Sequence, residues 1–181
     1  MLFLDELPEF SRAACEALRQ PLEEGEVTVS RAMTRVRFPA RFALVAAANP
    51  CPCGHLGDPE RECTCAPQRL NAYRSRLSGP LLDRFDLRVQ APRAESHGAA
   101  GEASAVVAAR VAEAAERMAG GKLELSPDAA RLMDDAVRRQ LLAGRGATRT
   151  AAVAQSISAL AAAGRVESDH LAEALSYRQP L

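Results

Sequence analysis

The 181-residue chain contains no GxxxxGK segment followed by Ser or Thr. The backbone cradle and lysine that hold the β- and γ-phosphates of a nucleotide are therefore absent, and the chain alone is not expected to bind ATP well. Nor does it carry net charge, since 23 Lys and Arg offset 23 Asp and Glu. That balance removes bulk attraction to nucleic acid or membrane, so any basic surface has to be argued position by position. No stretch approaches the roughly 18 apolar residues of a membrane span. The opening MLFL runs at once into Asp5 and Glu6, too short a run for a signal-peptide core. These absences lead to the expectation of a cytoplasmic protein with no membrane partner. Aromatic residues make up only 4% of the chain. With 48% hydrophobic and 25% charged residues, the composition is that of a globular protein able to bury one good core or two small ones.

Two regions emerge along the chain. Leu2 to Leu4 reads as a short buried strand. Pro8 then stands at a helix start, and SRAACEALRQPLEEG reads as a helix ending at Gly25. GEVTVSR and RVRFP, separated by AMT, alternate in the manner of a half-exposed hairpin, with Phe38 expected as a core anchor. ALVAAAN, residues 43–49, is unbroken and apolar, as for a strand covered on both faces. PQRLNAYRSRLSGPLLDRF predicts two helical pieces, and DLRVQAP a further strand. The small, polar RAESHGAAG, following Pro92, supplies a linker at 93–101 between a region at 1–92 and a helical region at 102–181. Four amphipathic stretches fill the latter, two of them behind Ser-based N-cap signals.

An apolar run ending in Asp5-Glu6 at a strand tip suits nucleotide hydrolysis. The first carboxylate would hold Mg²⁺ and the second would deprotonate the attacking water. A strand ending in two solvated acids is the equally available structural reading. Asn49-Pro50 by itself is a turn former, and Arg84 by itself is a surface arginine paired with Asp83 or Asp86. Arg31, Arg35 and Arg37 on the hairpin are either a solvated face or a ribbon of phosphate contacts, with no aromatic stacking partner beside them. CPCGHLGDPERECTC places Cys51, Cys53, Cys63 and Cys65 as two CxC pairs that suit a tetrahedral Zn²⁺. Two disulfides are the alternative, disfavoured in the cytoplasm; His55 could substitute for one thiolate, but reads first as an exposed loop histidine. Cys15 reads as a small core residue of the first helix.

MLFLDELPEF, SRAMTRVRFPARFALVAAANPCPCG and SGPLLDRFDL together resemble the Mg-chelatase-like AAA+ ATPases of the ComM/YifB type, over residues 1–92 and less specifically over the C-terminal helices. The resemblance implies an α/β fold. Its first part would be a partial AAA+ P-loop ATPase core, three-layer αβα without the phosphate-loop strand, followed by an all-α helical lid. It implies Asp5 as the Mg²⁺ residue and Glu6 as the catalytic base of a Walker B strand. Asn49 would be sensor 1, positioning water and sensing the γ-phosphate. Arg84 would be an arginine finger entering the neighbouring subunit's site. Arg145 would be sensor 2, in cis or in trans, with Arg149 a weaker companion. The hairpin would point Arg31, Arg35 and Arg37 into a central pore that tracks DNA. ATP, Mg²⁺ and a homohexameric ring are the implied cofactors and assembly.

In that family the phosphate loop precedes the Walker B strand, so the expectation is a C-terminal fragment of a longer ATPase. Without the strand that the resemblance places beside sensor 1, two sheet edges and an apolar face would be uncovered. Three functions follow: an ATP-driven DNA motor promoting branch migration, a non-hydrolytic zinc- and nucleic-acid-binding or assembly module, or a magnesium chelatase ATPase subunit. The cysteine loop and SRAMTRVRFPARF favour the ComM/YifB type over the last.

Overall fold

A computed structural model describes residues 1–31, 34–77, 79–91, 101–139, 142 and 144–178, with Arg31 described by its backbone. The hairpin tip and nearly all of the expected linker at 93–101 lie outside these residues. The chain is mixed α/β and divides into two units, Met1–Phe85 and Asp86–Leu181.

In the first unit, β1 (Leu2–Leu4) pairs in parallel with β4 (Leu44–Ala46), in the register Leu2 to Leu44, Phe3 to Val45 and Leu4 to Ala46. Between them the chain makes a 3-10 turn (Leu7–Glu9), α1 (Arg12–Ala17), α2 (Arg19–Glu24) and the antiparallel hairpin of β2 (Glu26–Arg31) and β3 (Thr34–Pro39). Pro8 falls in the 3-10 turn, and Ser11 caps α1 by accepting from the Ala14 amide at 3.2 Å. The single helix expected up to Gly25 is two helices. Pro21 has no N–H and crowds the carbonyl of the residue four before it, Ala17, which is where α1 stops. Gly25 ends α2 at φ 68°, left-handed backbone that costs a glycine little, and its amide bonds the Pro21 carbonyl at 2.9 Å.

Leu7, Cys15 and Leu81 form the small core of this unit, with Leu4, Ala46, Leu77 and Phe85 packed on it. Leu81 lies on α4 (Gly79–Leu82), which follows α3 (Pro67–Ser75). Burying a leucine so completely stabilises by roughly 1.5–3 kcal/mol. Three expectations are corrected here. Val45 is 42% exposed, so the apolar run at 43–49 is not covered on both faces. Phe38, expected as an anchor, is 52% exposed, because its pairing with β2 satisfies the backbone but no layer lies over the ribbon among the described residues. DLRVQAP forms no strand among the described residues, and Leu87 and Val89 are exposed.

The second unit is built from α5 (Ser104–Ala119), α6 (Pro127–Arg138), α7 (Gly144–Leu160) and α8 (Ser168–Ser176). Ala129, Ala154, Val166, Leu171 and Ala174 form its core, with Leu132, Met133, Val153 and Ile157 around them. Small side chains at the contacts let the helices approach closely. Ser126 caps α6 through the Ala129 amide at 3.2 Å, while a parallel bridge joins Leu125 to Val166. Glu167 caps α8, ahead of Ser168, and its amide donates to His170 Nδ1 at 3.1 Å.

Candidate functional site

Two hydrogen bonds bring the expected hydrolytic residues to one edge. The Ala47 amide donates to the Leu4 carbonyl at 2.9 Å, and the Leu7 amide donates back to the Ala47 carbonyl at 2.9 Å. Asp5 and Glu6 lie between these two anchors, at the carboxyl end of β1. Asn49 follows two residues after Ala47, past the carboxyl end of the adjacent parallel β4. Carboxyl ends of adjacent parallel strands are where open α/β sheets gather ligand-binding groups. All three side chains face solvent.

Glu6 sits in left-handed backbone at φ 50° and ψ 46°, a conformation that an L-residue with a long side chain seldom adopts. Asp5 Oδ1 accepts from the Glu6 amide at 2.9 Å, and the Glu6 carbonyl accepts from the Glu9 amide at 2.7 Å. The strand tip is thereby turned sharply away from β1. Such local strain, about 1–3 kcal/mol, persists only where surrounding bonds over-determine it.

Two residues that the sequence did not single out hold this edge against α3. Tyr73 is buried, and its hydroxyl donates to the Asn49 carbonyl at 3.1 Å. Arg76 Nη1 reaches the Pro8 carbonyl at 3.0 Å and Glu9 Oε2 at 2.8 Å. Burial, and after it the charge of Glu9, pushes the Tyr73 hydroxyl above its ordinary value, so it stays a donor. Nothing in the local pattern of α3 announces either role, because both partners are distant in sequence.

Arg84 follows α4 with its side chain only 7% exposed. Its Nη2 lies 2.5 Å from Glu23 Oε1, and its Nη1 bonds the Pro80 carbonyl. Glu23, on α2, is a partner the local sequence did not suggest. Arg35 and Arg37 project from exposed β3, two residues apart and therefore on one face of the ribbon. Arg37 lies 3.8 Å from Glu26, with both side chains well exposed. The Arg31 side chain lies outside the described residues.

In the second unit, Arg145 and Arg149 both lie within α7, which begins at Gly144 rather than after Arg145. Arg149 Nη1 bonds Asp86 Oδ1 at 2.7 Å. Asp86 thus pairs with Arg149.

The cysteine cluster is the most closely assembled group. Cys51 Sγ lies 3.3 Å from Cys53 Sγ, Cys53 Sγ 3.6 Å from Cys63 Sγ, and Cys63 Sγ 3.7 Å from Cys51 Sγ. With Cys65, all four sulfurs lie within 4.8 Å of one another, and no cysteine is in a disulfide. A tetrahedral Zn²⁺ with bonds of about 2.3 Å sets its sulfurs about 3.8 Å apart, so the donor set fits such an ion. The two-disulfide alternative is not realised. Cys51 is fully buried and its sulfur accepts from the Leu56 amide at 3.3 Å. The His55 amide, and after it the Cys51 thiol, brings the Cys53 thiol down to about 6. The Cys65 amide pulls the Cys63 thiol the same way, but desolvation and its sulfur neighbours outweigh it and push that thiol up to about 12. His55 Nδ1 instead faces Asp58 Oδ2 at 3.6 Å.

Residues 1–99 match the model of magnesium chelatase, subunit ChlI, and residues 101–178 match that of the ChlI C-terminal region. The chain belongs to the magnesium chelatase ChlI family. Within it, the chain is 39% identical to the uncharacterised protein YifB of Salmonella typhimurium, across 98% of this chain and 39% of that protein. It is 39% identical to the competence protein ComM of Haemophilus influenzae, across 98% of this chain and 38% of that protein. An uncharacterised Mycobacterium bovis protein is 42% identical across 99% of this chain and 40% of its own length. The chain therefore spans about two fifths of the length of these curated relatives. No described helix is long and apolar enough to cross a membrane.

Proposed function

We propose that this ChlI-family chain supplies the water-activating half of an AAA+ ATPase site that drives movement on DNA, in the manner of a branch-migration motor. The observation that carries the reading is the pairing of β1 with β4, which sets Asp5 and Glu6 beside the segment bearing Asn49 at one strand edge. Asp5 would hold Mg²⁺, which when bound neutralises phosphate charge. Glu6 accepts the proton of the attacking water, and the Asn49 amide both accepts from that water and donates toward a phosphate oxygen. Arg84 answers the charge that develops in the transition state of a neighbouring subunit, and Arg145 with Arg149 steadies the nucleotide from a helical lid.

On this reading the first unit is part of a three-layer αβα core, and the assembly is a cytoplasmic hexameric ring around DNA. The phosphate cradle comes from a GxxxxGK-bearing segment that these 181 residues do not contain. Cys51, Cys53, Cys63 and Cys65 would hold Zn²⁺ as a closed structural site, since all four ligands would come from protein. A non-hydrolytic zinc- and nucleic-acid-binding module is the second reading, favoured by the same cluster together with the missing cradle.

ATP turnover by this chain, alone and together with a GxxxxGK-bearing polypeptide from a relative, with and without branched DNA, separates the two. The motor reading expects turnover only in the combination, with Glu6→Gln lowering it by orders of magnitude while nucleotide binding persists. Turnover unaffected by Glu6→Gln sinks the assignment.

A further inference from the structure

The cysteine loop is closed at both ends on the same strand tip. Cys51 stands two residues after Asn49 and is fully buried. Cys65 stands two residues before Pro67, where α3 begins with Ala66 as its N-cap. From two turns along α3, buried Tyr73 reaches back to donate its hydroxyl to the Asn49 carbonyl at 3.1 Å. Asn49, Cys51, Cys65 and Tyr73 thus form a circuit. Every link in it is protein except the one between the Cys51 and Cys65 sulfurs, which lie within 4.8 Å of each other without a covalent bond.

We infer that the four-cysteine site is a metal-operated clasp whose output is the placement of Asn49, with Tyr73 as its positioning residue. The inference rests on the zinc reading above and adds a consequence to it. Metal bound at the sulfurs joins Cys51 to Cys65 and so shortens the tether between the end of β4 and the start of α3, removing the freedom of the loop between them. That fixes α3 relative to Asn49 and keeps the Tyr73 hydroxyl within reach of the carbonyl. Without metal, the loop ends part, and the Tyr73 bond must hold the strand tip against the entropy of an open loop. Asn49 itself is exposed, so its own side chain does not lock it. Arg76, on the same stretch, holds the other arm of the edge through the Pro8 carbonyl and Glu9. The clasp therefore sets Asn49 against Asp5 and Glu6 through one rigid piece, α3.

The chain has asparagine at Asn49 and Asn71 only, so ¹⁵N-asparagine labelling of the full 181-residue chain gives a spectrum in which Asn71→Gln assigns the rest to Asn49. Zinc chloride is titrated into metal-free protein, and cobalt(II) absorption reports tetrathiolate coordination independently. The expected result is one equivalent bound, with the Asn49 amide signals moving to a new position in step with it. Tyr73→Phe should bind cobalt with the same stoichiometry and spectrum, yet lose most of the zinc-dependent shift of the Asn49 signals seen in the parent, because the bond to the Asn49 carbonyl is gone. Stoichiometric metal binding with Asn49 signals unmoved overturns the clasp while leaving the zinc site standing, and this arm needs no variant. A Tyr73→Phe chain that matches the parent in both readouts removes Tyr73 from the mechanism. Failure to bind either metal overturns both the zinc reading and the clasp.

Discussion

Arg84 Nη2 is held 2.5 Å from Glu23 Oε1, which ties the segment after α4 to the last turn of α2, immediately ahead of the β2–β3 hairpin. A guanidinium–carboxylate bond of this kind is stronger than a neutral one, and with Arg84 only 7% exposed it competes effectively with solvent. An arginine that acts on a neighbouring subunit has to leave this contact. In an assembly completed by a phosphate-binding segment, Arg84→Ala should lower turnover about 10³-fold with nucleotide binding retained. Arg84→Lys should rescue little, since the planar fork is lost. Glu23→Gln keeps the shape and removes the charge, and should raise turnover severalfold. Turnover and nucleotide binding measured side by side check all three, and an Arg84→Ala protein as active as the parent removes the finger.

Metal binding at the cysteine cluster should release protons. Cys53, held near 6 chiefly by the His55 amide, is largely thiolate at neutral pH, whereas Cys63 near 12 and the raised Cys65 are thiols. Each thiol proton that Zn²⁺ displaces makes the affinity rise about tenfold per pH unit. Below about pH 6 the Cys53 proton joins them, so the fall in affinity steepens towards acid. Cobalt titrations across about pH 5 to 8 measure the slope, and a pH-independent affinity contradicts four-thiolate ligation.

The local pattern revealed elements better than neighbours. The alternation in GEVTVSR and RVRFP does mark a hairpin, in the register Val27 to Phe38 and Val29 to Val36. Alternation says that one face is apolar, not what covers it, and Phe38, Val29 and Val36 are all exposed among the described residues. Similarly, ALVAAAN is uniformly apolar, as a doubly covered strand would be, but among the described residues β4 has one hydrogen-bonded neighbour, β1. DLRV has β-forming residues but forms no strand among the described residues, and its Arg88 amide turns to the Tyr177 carbonyl at 2.9 Å. The cysteine spacing was legible because it is short-range. The Tyr73, Arg76 and Glu23 contacts were not, because each joins residues separated by tens of positions.

Arg35 and Arg37 share one face of β3, and Arg37 is only loosely engaged by Glu26 at 3.8 Å. If that face meets the phosphates of DNA, each arginine neutralises about one phosphate. The slope of log affinity against log salt should then fall by about 0.9 for each of Arg35→Ala and Arg37→Ala on duplex DNA. The loss should be uniform across sequences, because phosphate contacts carry no base information. Salt titrations of DNA binding check this, and unchanged slopes return the face to solvent.

The cap of α8 should make the second unit acid-sensitive. Glu167 Oε1 accepts from Arg165 Nε at 2.5 Å. That bond first, and one from Ser126 after it, holds the Glu167 carboxyl below its ordinary value. A carboxyl whose folded value is depressed binds its proton more readily in the unfolded chain. Its contribution is therefore present above the unfolded value of about 4.3 and is lost as pH falls through the folded value. Glu167→Gln should lower Tm at neutral pH and flatten the acid limb of the Tm–pH curve, so that parent and variant converge in acid. Arg165→Ala should do the same by removing the donor, while Leu171→Ala, which empties a fully buried site in the same unit, should cost about 2–5 kcal/mol at every pH. Thermal unfolding followed by circular dichroism across the acid range distinguishes the two signatures, and a Glu167→Gln curve parallel to the parent's would show that the carboxylate does not carry the linkage.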